Sequence, residues 1–267
     1  MIIISEDLII TQGPIAANAP LIGIHNLVLT SNITTTTENA SYPKENIANP
    51  ATFLEWRGTA IAQEDLEFDI SSYGSDVGYV GIARHNFGTI GATVTLAGDT
   101  GSGYADISAV APADDSPIIF KFTPETYDDM RIRISIGTAV PTCAVVYIGD
   151  PINVERNLYV GHSPLPLNRM AKVISGRSEN GNFLGRIVTR DINQSSASFK
   201  NITPSFYRTE IDPFVTLARV NPFFWAWRPS SYPLEAGFAW LTDDITPSNE
   251  LPNGMMEFSF SMTGIVE

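Results

Sequence analysis

The sequence predicts a mainly β protein: two β-sandwich or jelly-roll-like domains, the second with one short α-helix. Three observations predict it. Apolar and polar residues alternate with period two in run after run, the pattern of a strand with one buried face. Clusters of Gly, Pro, Asn and Asp separate the runs at close spacing, as in "AGDTGSGYAD" and "APADDSP". Hydrophobic residues make up 43% of the 267 and charged residues 17%, a composition that buries a core. Many short strands of this kind build sandwiches and jelly rolls.

Taken in order, "LIGIHNLVLT" opens with mixed apolar residues and ends in a β-branched run. "DLEFDIS" sets Leu66, Phe68 and Ile70 against Asp65, Glu67 and Asp69. "ATVTLAG" alternates likewise, and the glycine-rich "GDTGSG" after it reads as a hairpin turn, since no strand-turn-helix frame surrounds it. In "DDMRIRISIG", Met130, Ile132, Ile134 and Ile136 share one face, with Arg131, Arg133 and Ser135 on the other. The texture changes across "GDPINVERN", where Asp150-Pro151 disfavours continuous regular structure. The expected division is therefore residues 1–150 and 151–267. Beyond it, strands joined by a turn at Glu179 to Asn182 precede a broken helical stripe of Phe206, Ile211, Phe214, Leu217 and Ala218. Asp212 and Pro213 suit the N-cap and first helical residue, and Pro222 suits the stop. "GMMEFSFSMTGIVE" closes the chain as a strand, Met256, Phe258, Phe260 and Met262 on one side.

The formal charge of −13 argues against a nucleic-acid partner, because phosphate contacts need clustered cations. No apolar run is long enough to insert in a membrane. "MIIISEDLII" lacks a basic start, and Glu6 and Asp7 interrupt it, so it is not expected to be a secretory signal. Synthesis in a host cytoplasm is expected, with the place of work left open. Cys143, the single cysteine, sits in the apolar "VPTCAVVYIGD" and reads as a buried thiol. His25, His85 and His162 show no metal spacing, and "GHSPLP" lacks the nucleophile-elbow frame. The pairs Asp114–Asp115, Asp128–Asp129 and Asp243–Asp244 fall in loop-like stretches and read as solvated turns, with a Ca²⁺ site the open alternative. No catalytic, cofactor-binding or metal-ligating residue is assigned, and enzyme activity is not expected.

Aromatic residues concentrate in "NPFFWAWRPSSYPLEAGFAWL", Asn221 to Leu241. Strand alternation puts Phe224, Ala226 and Arg228 on one face, and Phe223, Trp225 and Trp227 on the other. A strand apolar on both faces lies between layers, so Trp225 or Trp227 belongs in a core. Two alternatives stand beside this. Trp225, Trp227, Trp240, Arg228 and Tyr232 suit the buried centre of a subunit contact, or an exposed sugar platform served by Arg228, Ser230, Ser231 and Tyr232.

Two stretches resemble known families. "NASYPKENIANPATFLEWRGTA", "LEFDIS" and "VGYVGIARHNFGTIGATVTLAG" are similar to the galactose-binding-like jelly roll, although Thr52 and Trp56 stand farther apart than in its usual pattern. That resemblance implies a sandwich that binds carbohydrate or serves as an interaction module. From Asn157 onward, "RNLYVGHSPLPLNRMAKVISGRSENGNFLGR", the aromatic stretch and "GMMEFSFSMTGI" resemble distal-tail and tail-tip (baseplate) structural proteins of long-tailed bacteriophages. This implies a virion tail subunit that forms a ring with itself and meets tail-tube and tail-hub proteins. The alternative is a carbohydrate-binding module that attaches to host-surface glycans.

Overall fold

The computed structural model describes residues 1–5, 17–249 and 252–266. Glu6 and Asp7 lie outside them. The first half of the chain builds a sandwich of two five-stranded sheets. One orders β1 (Ile2–Ile4), β9 (Ile118–Thr126), β6 (Asp76–His85), β11 (Thr142–Gly149) and β4 (Trp56–Arg57). The other orders β3 (Ile33–Thr35), β5 (Glu64–Asp69), β10 (Asp129–Ile134), β7 (Val94–Asp99) and β8 (Tyr104–Val110). Their facing sides hold one core, with Trp56, Phe68, Phe87, Phe120, Met130 and Ile132 fully buried. Alternation does the work: in β10, Met130, Ile132 and Ile134 point inward, while Arg133 forks onto Asp65 of β5 through two 2.8 Å hydrogen bonds.

The third sheet orders β12 (Ile152–Asn153), β2 (Leu21–Gly23), β15 (Phe223–Ala226), β16 (Ala236–Leu241), β18 (Met256–Ile265), β14 (Phe183–Ile202) and β13 (Arg169–Arg177), with β17 (Ser248–Asn249) beside β18. One face lies on the outer side of the β6–β9–β11 sheet. Tyr79, Ala83, Ile119, Val145 and Tyr147 there meet Leu21, Phe224, Ala226 and Phe238. Gly81 permits the approach, because a Cβ there would come within 2.5 Å of the Phe224 ring. A buried lysine spans the same layer: Lys121 Nζ donates to Asn153 Oδ1 at 2.6 Å. The opposite face carries a second large core of Ile22, Trp225, Phe199, Phe258 and Phe260, closed by Ile211, Phe214 and Ala218 of a helical segment. The layers therefore run sheet, sheet, sheet, helix. The third sheet takes a strand from each side of Asp150-Pro151: β2 pairs with β12 and with β15.

Several expectations change in detail. The helix begins nine residues before Asp212: Thr203 is the N-cap, its Oγ1 accepts from the Phe206 N–H, and Pro204 opens the helix. Pro213 lies in the helix interior, where a missing N–H normally breaks the ladder. The chain absorbs it with a π turn over Tyr207–Ile211, in which the Asp212 N–H reaches back to the Tyr207 carbonyl. The helix ends at Ala218, short of Pro222, and Leu217 is partly exposed. In the apolar run at 21–30, only Leu21–Gly23 is strand. Ile136 is exposed because β10 ends at Ile134. The "GDTGSG" turn forms as expected: Asp99 Oδ1 accepts from the amides of Gly101, Ser102 and Gly103.

Candidate functional site

The aromatic stretch divides among three places. Trp225 is fully buried in the second core, edge-on to His162, Phe199 and Phe260. Trp227 follows on the same face at the rim, half-buried, its ring stacked on Tyr232 at 5.3 Å and its Nε1 donating to Glu235 Oε2 at 2.5 Å. The Arg228 guanidinium lies 5.6 Å from the Trp227 ring, and Tyr232 is exposed. Trp240 stands apart from both, exposed on β16.

Trp240 lines an open groove of about 480 Å³ where the sandwich meets the third sheet. The loop after a 3₁₀ turn (Lys44–Ala48) contributes Phe53, 83% exposed, and the end of the helix contributes Val220, 79% exposed. Apolar side chains this bare on neighbouring segments form a patch rather than scattered exposure. Arg219 lines it and pairs loosely with Asp244 at 3.5 Å.

A second exposed apolar surface is an arm that the sequence pattern presents as ordinary strands. β14 is 20 residues long, but it pairs with β18 only from Asn193 onward. Before that it pairs with β13 alone, so residues 170–192 extend past the sheet as a two-stranded ribbon. The turn at Glu179 to Asn182 forms where expected, with the Gly181 N–H bonded to the Ser178 carbonyl. Met170, Ile174, Phe183, Leu184, Ile187 and Val188 are all more than half exposed, and none belongs to any core. Lys172, Arg177, Arg186 and Arg190 accompany only Glu179 and Asp191. Lys172 lies directly opposite Arg190 in the register, an arrangement that repels unless an anion joins it. The usable signal was "VISGRSENGNFLGRIVTR", where apolar residues fall on both strand faces with cations between them and no layer left to cover either face.

A third place is polar. At one end of the sandwich, Glu55, Arg84, Asn86, Asp114 and Asp115 line a cleft of about 520 Å³. Arg84 has φ 58, the left-handed region that a residue with a Cβ adopts at a cost of about 1–3 kcal/mol, and such strain gathers at binding sites. His85 forms the floor. Its Nδ1 accepts from the Phe87 amide at 3.2 Å and its Nε2 faces the Ser116 carbonyl at 3.0 Å, which sets the Nε2–H tautomer. Burial drives its pKa down to about 4, so the ring stays neutral. The Ser116 hydroxyl holds the Asp114 carboxyl below the usual range, and Asp115 accepts from both the amide and the hydroxyl of Thr89.

Other polar groups are placed for structure. His25 bonds the Asp150 carbonyl and His162 the Ser196 carbonyl. Cys143 is buried, its thiol pushed up to about 12 by desolvation. Among the described residues no group of three or more His, Cys, Asp or Glu side chains is placed to hold a metal.

No protein-family description matches this sequence, and no curated protein does. Solved structures match in part. Chitosan-binding module 1 of a chitosanase/glucanase from Paenibacillus sp. is 14% identical, with a TM-score of 0.37 over 46% of this chain and 98% of that one. Chitosan-binding module 2 of that enzyme, in complex with chitotriose, is 11% identical, with a TM-score of 0.40 over 46% and 99%. The CBM32-5 module of Clostridium perfringens, in complex with GalNAc-β-1,3-galactose, is 11% identical, with a TM-score of 0.39 over 45% and 96%.

Proposed function

We propose that the chain is a structural subunit that acts by assembling, of the kind that forms a ring at the distal end of a long-tailed phage tail. The arm carries this reading. An isolated two-stranded ribbon is marginal in water, and its bare edge is a template for another strand. This ribbon keeps six large apolar side chains and a row of cations in solvent. Such a surface is understood as one half of a contact. The resemblance of the segment from Asn157 onward to distal-tail proteins is the reason for placing the assembly in a virion tail, beside tube and hub proteins. Light scattering across a concentration series tests it: the full chain is expected well above its monomer mass of 29.1 kDa, and the chain lacking residues 173–188 at its own, smaller monomer mass. A monomer throughout would defeat the reading.

A second reading, a module that attaches to host-surface glycans, is favoured by the sandwich-end cleft. Charged and amide side chains there converge around the strained backbone of Arg84, as groups that bond sugar hydroxyls do. A glycan array read with the full chain and with Arg84→Ala tests this. Retention by the first and not the second, at equal mass, supports it; binding by neither removes it.

A further inference from the structure

Resting on the assembly reading, we infer that the partner of the arm is the groove of a second copy. The tip residues Phe183 and Leu184 seat against Phe53, Val220 and Trp240, with arm cations facing the acidic body around it, where Asp244 pairs with the groove's Arg219.

Three observations converge. The first is charge. The arm carries a net +2 within a chain of −13, which leaves −15 on the rest of the molecule. The opposed Lys172 and Arg190 meet no anion on their own ribbon to offset their repulsion except Asp191, so an acidic body is the surface that suits them. The second is shape and chemistry. The groove is open, apolar and about 480 Å³, room for one aromatic and one aliphatic side chain, and both its walls and the arm tip are bare in the single chain.

The third is direction. β18 runs toward Ile265, and the arm continues that way beyond the pairing of Asn193 with Gly264. β16 runs the opposite way, and the groove lies past its far end at Trp240 and Leu241. At about 3.3 Å per residue, the tip stands roughly 30 Å beyond the sheet, on the side away from the groove. The arm therefore cannot fill the groove of its own chain. Two different patches set roughly 30 Å apart along the strands form a head-to-tail contact, which builds closed rings or filaments rather than two-fold dimers.

Cysteine cross-linking in the full chain tests the contact, since buried Cys143 gives little background. The double variant Phe183→Cys with Val220→Cys, mildly oxidised, is expected to give a ladder of linked copies on a non-reducing gel. Each single variant should give no ladder. In parallel, Val220→Asp and Leu184→Asp should each raise the concentration at half-assembly by about tenfold or more, with circular dichroism unchanged. If the chain assembles and loss of the arm abolishes assembly, but the ladder is absent and Val220→Asp has no effect, the groove is the wrong acceptor and the assembly reading stands. If the chain is monomeric at every concentration, or its arm floats with anionic vesicles instead, both are overturned.

Discussion

Lys121 is the residue whose position has the clearest energetic consequence. It sits between two sheets and donates to Asn153, and burial lowers its pKa from 10.5 to about 8. Between those values the unfolded chain holds a proton that the folded chain has released, so stability rises with pH across the window. Below about 8 both states are charged, and the penalty is constant at about 3 kcal/mol before the hydrogen bond offsets part of it. Lys121→Met is therefore expected to raise the unfolding temperature at pH 7, worth roughly 1–2 kcal/mol, with the advantage shrinking as pH approaches 10. A gap that widens with pH would show that the ammonium is stabilising. Tryptophan contrasts equally well. Trp225→Ala should cost about 3–5 kcal/mol, whereas Trp240→Ala should stay within about 0.5 kcal/mol in the monomer. Thermal melts of the two read the difference. Alternation in "FFWAWRP" was enough to expect Trp225 or Trp227 in a core, and did not choose between them; nothing in the sequence separates exposed Trp240 from them, because exposure there depends on which loop arrives from residue 53.

Among the elements, strands were legible where one face meets a core and the other meets water, as in β5, β10 and β18, since burial writes period two into the side chains. The helix start was not legible. Asp212-Pro213 carries a strong local start signal, but Thr203-Pro204 carries one as well, and the upstream pair opens the helix with Glu155 holding Thr203 through its amide and hydroxyl. The π turn that accommodates Pro213 has no sequence signature of its own. The arm was legible as a hairpin and not as a projection, because pairing partners beyond the hairpin are set by register with β18. Its independence gives a direct expectation. Replacing residues 173–188 with an Asn-Gly turn should leave the unfolding temperature within about 2 °C, since none of those side chains enters a core. A loss of many degrees in dilute, monomeric protein would mean that the ribbon supports the fold.

For the whole molecule, two folding units meeting near residue 150 remain our proposal, and the layers say what their separation would expose. The sheet of β6, β9 and β11 is apolar on both sides, one face in the sandwich core and the other against the third sheet. A fragment 1–150 is expected to keep strand circular dichroism and a cooperative melt while binding a hydrophobic dye through Tyr79, Ala83, Ile119, Val145 and Tyr147. A fragment with no cooperative transition would refute the two-unit organisation. Those double-sided strands were readable as layered from "CAVVYIG" alone, but their second partner was not, because β2 reaches the third sheet from 130 residues upstream of β12 in the pairing Ile22 with Ile152. The candidate surfaces were the least readable part of the chain, since a groove made from residues 53, 220 and 240 exists only after a loop, a helix end and a strand converge. One consequence is mechanical. The arm and the third sheet share a single unbroken strand, β14, which ends at the helix N-cap. Tension on the arm runs along that strand, at right angles to the bonds joining Asn193–Phe199 to Phe258–Gly264. The ladder is then loaded in shear, all its bonds at once, rather than peeled open one pair at a time. A subunit gripped by this arm would resist pulling along the arm far better than twisting across it.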